Sequence, residues 1–351
     1  MPLQGTLGVG ILGAGFMGQT YAAAVSTVVK NVRAVAVAGG SRAPRLAKEY
    51  GLEVEASVEA LVAREDVDLV CVATPHALHG PEALTAAKAG KHLLIDKPMA
   101  TTVAACDAIL EACVEHGLRC EVMYTQRNRV CNVATKRLLD SGELGKVLHM
   151  HNVQVVPEGM KTVPRWQLDR DNVGILLGHG IHNIDQARWF TRQEIAQVFA
   201  KVRAFDPDYE VDSTSDVVLT MEDGTVCTIF CSFEIPSPGF PRTGGATQTV
   251  CERGLIENDW YGDLRVSRDG ADWEVIASQP PIDWAGKGFL DPVRLETYAT
   301  TLQRLVDDIR AGKPAGGTGW DGRQAVAVAL AAYKSSETGR AIELKHEEPI
   351  C

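Results

Sequence analysis

Leu7-Gly8-Val9-Gly10-Ile11-Leu12-Gly13-Ala14-Gly15-Phe16-Met17-Gly18 is the stretch on which the fold turns. Leu7–Leu12 is an unbroken run of apolar and small residues, as expected of a strand buried on both faces of a sheet. Gly13, Gly15 and Gly18 follow in G-x-G-x-x-G spacing, and Phe16–Val28 has the pattern of a helix. Each glycine has its own physical role. One permits the tight turn, one lets the backbone approach a pyrophosphate, and one lets helix pack closely on strand. The helix start at Phe16 and Met17 offers free N–H groups and the positive end of a dipole to phosphate oxygens. Gly13, Gly15, Phe16, Met17 and Gly18 are therefore expected to bind a dinucleotide.

The next strand, Val32–Ala38, runs into Gly39-Gly40-Ser41-Arg42. A chain selecting NAD usually places a carboxylate near this point to hold the ribose 2′-hydroxyl. No acid stands here. A hydroxyl and a guanidinium suit a 2′-phosphate, so Ser41 and Arg42 point to NADP(H) rather than NAD(H).

Further strands are expected at Leu69–Ala73, His92–Ile95 and Arg119–Met123. Helices are expected at Ser57–Arg64 and Thr102–His116, each opening on its capping residue, and at Pro81–Ala89. Strands alternating with helices imply a parallel sheet covered on both faces. After residue 125 the pattern changes. A helix over Asn132–Asp140 precedes the alternating segment Val147–Val156, and a second helix is expected at Ile181–Phe190. Long β-type runs follow at Ala196–Phe205, Ser215–Met221 and Thr225–Phe233, the last two joined by the hairpin signal Asp223-Gly224. Short strands at Gln248–Glu252, Gly254–Asn258 and Trp273–Ile276 come next. Helices at Pro292–Ala311 and Asp321–Ser336 and a strand Ala341–Leu344 close the chain. The fold class is thus α/β. A Rossmann domain over residues 1–125 precedes an α+β domain over residues 126–351 with a large, mainly antiparallel open sheet.

The bulk properties agree with a two-domain enzyme. The chain has 351 residues, and about 100–200 residues is usual for one domain. A net charge of −10 would be repelled by a phosphate backbone, so no nucleic-acid partner is expected. No apolar run approaches the ~20 residues of a membrane span. Met1–Val9 lacks the basic region of a signal peptide. The nine cysteines are odd in number and form no CxxC pair. Reduced thiols in a cytoplasmic protein are the expectation.

Three more segments carry a resemblance: Thr74-Pro75-His76-Ala77-Leu78-His79, Asp96-Lys97-Pro98, and Gly174-Ile175-Leu176-Leu177-Gly178-His179-Gly180-Ile181-His182-Asn183-Ile184-Asp185. With the glycine turn, they resemble the glucose–fructose oxidoreductase/inositol dehydrogenase (Gfo/Idh/MocA) family over nearly the whole chain. The resemblance implies a hydride transfer to or from a carbinol carbon of a sugar, cyclitol or related cyclic polyol. It maps the family's Glu-Lys-Pro motif onto Asp96-Lys97-Pro98 and makes Lys97 a catalytic candidate. It maps the cofactor-lining Thr-Pro-Asn-x-x-His segment onto Thr74, Pro75, His76 and His79, and the catalytic histidine onto His182. Arg127 falls where a substrate-side arginine is common, and Arg165 and Trp166 are candidates from the second domain. The exposed face of the large sheet often makes the oligomer interface, which implies a homodimer or homotetramer.

One position departs from the family. Gly178 stands where an aspartate usually precedes the histidine by four residues, and His179 is the neighbour able to replace it in part. The departure motivates an alternative in which a tightly bound nicotinamide is recycled internally, so that the net reaction is an isomerisation, elimination or hydrolysis. The spacing His179-x-x-His182-x-x-Asp185 matches no zinc signature, so no metal is expected. Asp185 lies one helical turn beyond His182 and can orient its imidazole or serve as a helix-face charge.

Overall fold

The computed structural model describes residues 5–241, 244–345 and 347–350. The first residues of the segment Met1–Val9 lie outside them. The first part of the chain runs β1 (Leu7–Leu12), α1 (Phe16–Thr27), β2 (Val32–Ala38), α2 (Ala43–Tyr50), β3 (Glu53–Glu55), α3 (Val58–Val62), β4 (Leu69–Val72), α4 (His76–Lys88), β5 (His92–Ile95), α5 (Val103–Glu115) and β6 (Cys120–Val122). The strands form a parallel sheet in the order β3-β2-β1-β4-β5-β6. Chain order reverses between β1 and β4, the switch point outside which α/β sheets bind ligands. Val9, Ile11, Leu69, Cys71 and Leu94 are fully buried within it.

Local signals explain most boundaries. Ser57 and Thr102 accept hydrogen bonds from the N–H groups of Ala60 and Ala105, each at 3.2 Å, and so cap α3 and α5. Elements α2 and β3 are additions to the sequence reading, as is the later strand Asp263–Arg268. Strand β3 has no apolar alternation, because Glu53 and Glu55 both reach the guanidinium of Arg64 at 2.7 Å. Helix α4 begins at His76, a turn before the expected Pro81, which sits inside it. Its inward stripe is His76, His79, Gly80 and Ala83, so polar imidazoles hide the helical period.

The chain continues with α6 (Val130–Ser141), β7 (Val147–Pro157), α7 (Ile181–Thr191), β8 (Ile195–Arg203), β9 (Thr214–Met221), β10 (Val226–Ile235), β11 (Gly245–Cys251), β12 (Gly254–Asp259), β13 (Asp263–Arg268), β14 (Glu274–Ser278), α8 (Pro292–Arg310), α9 (Gly319–Thr338) and β15 (Ile342–Glu343). A nine-stranded sheet has the order β14-β13-β12-β11-β7-β10-β9-β8-β15. Among the described strands only β7 and β10 pair parallel, and the other neighbours are antiparallel. The Asp223-Gly224 signal does make the β9–β10 hairpin, with Gly224 at φ +85°. One face of the sheet buries Val198, Leu219, Cys227, Met150, Thr249 and Ile256.

The chain divides into two compact units, Met1–Thr125 with Ile282–Gln324 and Pro349–Cys351, and Gln126–Pro281 with Ala325–Glu348. A single cut after residue 125 assigns 282–324 to the second unit, whereas this segment belongs to the first. The reason is apolar packing: Leu302, Leu305, Val306 and Ile309 of α8 join Tyr21, Ala24 and Val25 of α1 in one core. The eight described cysteines are buried free thiols. Among the described residues, no helix is long and apolar enough to cross a membrane.

His92 at the start of β5 accepts the Arg119 N–H at 2.9 Å through Nδ1, which requires that nitrogen to be unprotonated. Burial pushes its pKa down to about 4, with Asp68 opposing and Arg119 assisting. The unfolded chain therefore binds the extra proton first, and stability is lost as pH falls from about 6.5 towards 4. The loss attributable to this group is about 3 kcal/mol at most. His92→Asn, which keeps an acceptor near Nδ1, should flatten this part of the Tm–pH curve. An unchanged slope would refute the assignment.

Candidate active site

The expected cofactor residues of the first unit gather at the carboxyl ends of β2, β1, β4 and β5, which are neighbours in that order. Gly13 has φ +92°, and a Cβ on it would lie 2.6 Å from the Ala73 carbonyl oxygen. A Cβ on Gly18 would stand 1.9 Å from the carbonyl oxygen of Gly13. Both glycines are thus required by the fold itself. Gly15 differs: its Cβ direction is open save for Nη2 of Arg42 at 3.6 Å. Helix α1 has neither a side-chain N-cap nor an acid in its first turn. An open Gly15, an uncapped helix start and a guanidinium beside them fit the pyrophosphate and ribose end of a dinucleotide. Phe16 and Arg42 are exposed, as is Ser41.

Behind this surface lies a set of buried polar braces. Thr74 donates to Glu82 at 2.5 Å, and burial pushes the Glu82 carboxyl up while this bond pulls it back. His79 is buried, with Nδ1 at 2.7 Å from the Pro98 carbonyl and Nε2 at 2.8 Å from the Thr74 carbonyl. It ties the β4 loop to the β5 loop rather than presenting an edge to solvent. His76 packs edge-on to it with centroids 5.7 Å apart. Burial lowers the His79 pKa, partly offset by the Pro98 carbonyl, Asp96 and the Thr74 carbonyl. Tyr21 donates to Asp96 at 2.9 Å and fixes that carboxylate. Lys97 follows directly. Burial pushes its ammonium pKa down, and Asp96 works in the opposite direction. A lysine held this way can stabilise a developing alkoxide and exchange a proton nearer neutrality than a solvated one.

The second unit holds Arg127, Arg165, Trp166, His179 and His182. A π-turn at Leu176–Gly180 leads directly into α7. Its start is held by Asp212, whose Oδ2 accepts the Leu176 N–H and whose Oδ1 accepts the Tyr333 hydroxyl, each at 2.8 Å. Burial pushes the Asp212 carboxyl up, and those two donors oppose it. Gly174 allows this, since a Cβ there would meet Asp212 Oδ1 at 1.8 Å. His182 is buried in the first turn of α7. His179 is partly exposed, lies 4.6 Å from the Phe233 ring, and has Nε2 at 3.2 Å from Gln167 Oε1. A carbonyl oxygen only accepts, so Nε2 carries the proton. Arg127 grips Asp185 with Nε at 2.9 Å and Nη2 at 2.6 Å, and its guanidinium lies over Trp189. The Asp185 carboxylate is thus engaged by an arginine fork. Arg165 is exposed and Trp166 half-buried in one short helical turn. Gln167, Phe233 and Asp212 escape sequence reasoning, because each acts through a partner distant in the chain.

Residues 7–124 match the profile described as "Oxidoreductase family, NAD-binding Rossmann fold", and residues 133–257 match the "GFO/IDH/MocA C-terminal domain". The chain belongs to the Gfo/Idh/MocA oxidoreductase family. It is an enzyme of the kind that acts on CH–OH groups with a nicotinamide cofactor. An inositol 2-dehydrogenase of Saccharopolyspora erythraea is 29% identical over 342 residues, covering 95% of this chain and 94% of the relative. The fold also matches an oxidoreductase from Agrobacterium radiobacter solved with NAD+, L-tartaric acid and magnesium (TM-score 0.86, 20% identity, 96% of this chain and 98% of that one). A third likeness is the aldose-aldose oxidoreductase of Caulobacter crescentus (TM-score 0.81, 23% identity, 97% of this chain and 100% of that one).

The glycines allow a separation of folding from binding. Gly18→Ala should cost about 2 kcal/mol or more through overpacking. Gly15→Ala should leave Tm almost unchanged and weaken cofactor binding about tenfold, the scale of a lost close backbone–phosphate approach. Thermal melts and cofactor titrations of the two variants check this. Equal destabilisation of both would show that Gly15 is structural.

Proposed function

We propose that this family member is an NADP(H)-preferring dehydrogenase of a sugar, cyclitol or related cyclic polyol. The observation that carries the cofactor preference is Arg42, whose Nη2 lies 3.6 Å from where a Cβ on Gly15 would stand, at a strand end with no carboxylate. The full-length relatives named as inositol dehydrogenases support the substrate class, and they favour net hydride transfer over an internally recycled cofactor.

When bound, the nicotinamide supplies the hydride acceptor or donor. The chain's own residues handle the proton and the charge. His182 takes the hydroxyl proton as hydride leaves carbon and returns it in the reverse direction, a role open to an imidazole because it can both accept and donate a proton. Lys97 stabilises the negative charge developing on the oxygen. His179 stands beside Gly178, where the family's carboxylate is missing, and is the candidate to contact a substrate hydroxyl in its place. Arg127 acts through Asp185 to hold α7, and Arg165 and Trp166 are the substrate-side candidates on the loop preceding it.

A panel of sugars, cyclitols and cyclic diols assayed at 340 nm with both cofactors tests this reading. Lys97→Ala and His182→Ala should each lower kcat by about 10²–10⁴-fold. Arg42→Ala should lower the preference for NADP(H) by about tenfold or more through loss of a charge-assisted hydrogen bond. Wild-type preference for NAD(H) would overturn the cofactor assignment, and wild-type kcat in both alanine variants would overturn the roles of Lys97 and His182.

We further infer that a second copy covers the sheet face opposite the buried one. Phe199 pairs with Val218 there and Val250 with Leu255, all four exposed large apolar side chains. His151, hydrogen-bonded to Thr228 at 2.8 Å, lies in the same row of the sheet. Phe199→Asp with Val218→Asp should reduce the mass found by sedimentation equilibrium to that of one chain. A wild-type protein that already sediments as one chain would exclude the pairing.

A further inference from the structure

Arg294 of α8 carries an unusual charge. Its side chain is buried, with 3% of the residue exposed. Nη1 donates to the Thr20 hydroxyl at 3.1 Å and the Phe289 carbonyl at 2.7 Å. Nη2 donates to the Tyr298 hydroxyl at 3.0 Å and lies 3.9 Å from Met17 Sδ. The guanidinium is 4.8 Å from the centroid of Phe16 and 4.5 Å from that of Tyr298. All these partners are neutral, and among the described residues no carboxylate forms an ion pair with it. Other arginines deep in this unit are paired: Arg119 with Asp308 at 2.8 Å and Arg323 with Asp107 at 2.8 Å.

Burying a cation without a counter-charge is costly, and neutral acceptors and ring faces offset only part of the cost. The position of the charge explains its retention. Arg294 touches Phe16, Met17 and Thr20, which are residues of the first turns of α1, immediately after the open Gly15. The anion expected on this surface is the cofactor pyrophosphate. We propose that Arg294 is the buried counter-charge to that pyrophosphate and positions the phosphate-binding turn through Phe16 and Met17. It adds a full charge behind a helix end that alone supplies a partial one, and burial shields it from salt screening. The proposal rests on the reading of the glycine turn as a dinucleotide site.

Isothermal titration of NADPH and of ADP-ribose into the full chain, at low and high salt, tests it. Arg294→Gln keeps donors for Thr20 and Phe289 but removes the charge. It should weaken both ligands about tenfold, the scale of one buried charge, and by nearly the same factor at low and at high salt. Arg294→Lys keeps the charge and should stay within about threefold of wild type. Adenosine, which has no phosphate, should bind all three proteins alike. Wild-type affinity for ADP-ribose in Arg294→Gln, or an equal loss for adenosine, would show a merely structural role. If Arg294→Gln does not fold, the lysine variant decides: retention within threefold supports the proposal, and a tenfold loss overturns it. A wild-type chain that binds no dinucleotide removes the glycine-turn reading, and the proposal with it.

Discussion

The backbone of α1 lies closer to the Gly13 carbonyl than any side chain on Gly18 would allow. This close approach sets the tilt of α1 on the sheet, and with it the position of Gly15, Phe16 and Met17. Gly13 in turn sits against the backbone of Ala73 and Thr74, which couples the turn after β1 to the turn after β4. The switch point between those strands is therefore defined by backbone packing before any ligand arrives. Such preorganisation lowers the ordering cost of binding.

Around this rigid turn the polar groups act as ties between loops. His79 links the carbonyls of Thr74 and Pro98, and Tyr21 fixes Asp96, so Lys97 is held from both sides of its own loop. The second unit repeats the device with other residues. Asp212 and Tyr333 hold the start of the π-turn, and the Arg127–Asp185 fork holds the helix that carries His182. In both units the groups proposed to handle protons sit on backbone that other buried polar side chains immobilise. That arrangement fixes geometry at the cost of burying charge.

The sequence was most legible where periodicity and local chemistry coincide. Strands β1, β2 and β5 are apolar runs bounded by turn residues, and their limits follow from composition alone. Ser57 and Thr102 identify their helices because capping is a local interaction. Strand β3 was illegible because Glu53 and Glu55 serve a neighbouring arginine instead of a core. The start of α4 was hidden because His76 and His79 occupy inward positions where apolar residues are usual. For the site, the family resemblance nominated Lys97, His179 and His182 as candidates. It could not reveal Gln167 against His179, Asp212 beneath the π-turn, or Arg294 behind Phe16. These contacts join segments distant in the chain, and no periodic or capping signal links them.

The return of residues 282–324 to the first unit has a consequence for how this protein is made. Helix α8 covers the apolar side of α1, so the core of that unit lacks one wall until α8 has left the ribosome. The second unit's sheet is synthesised in the interval. Vectorial synthesis, which usually lets an N-terminal domain fold first, here leaves the nucleotide-binding core open until most of the chain exists. The leading domain is the first to be made and among the last to be completed.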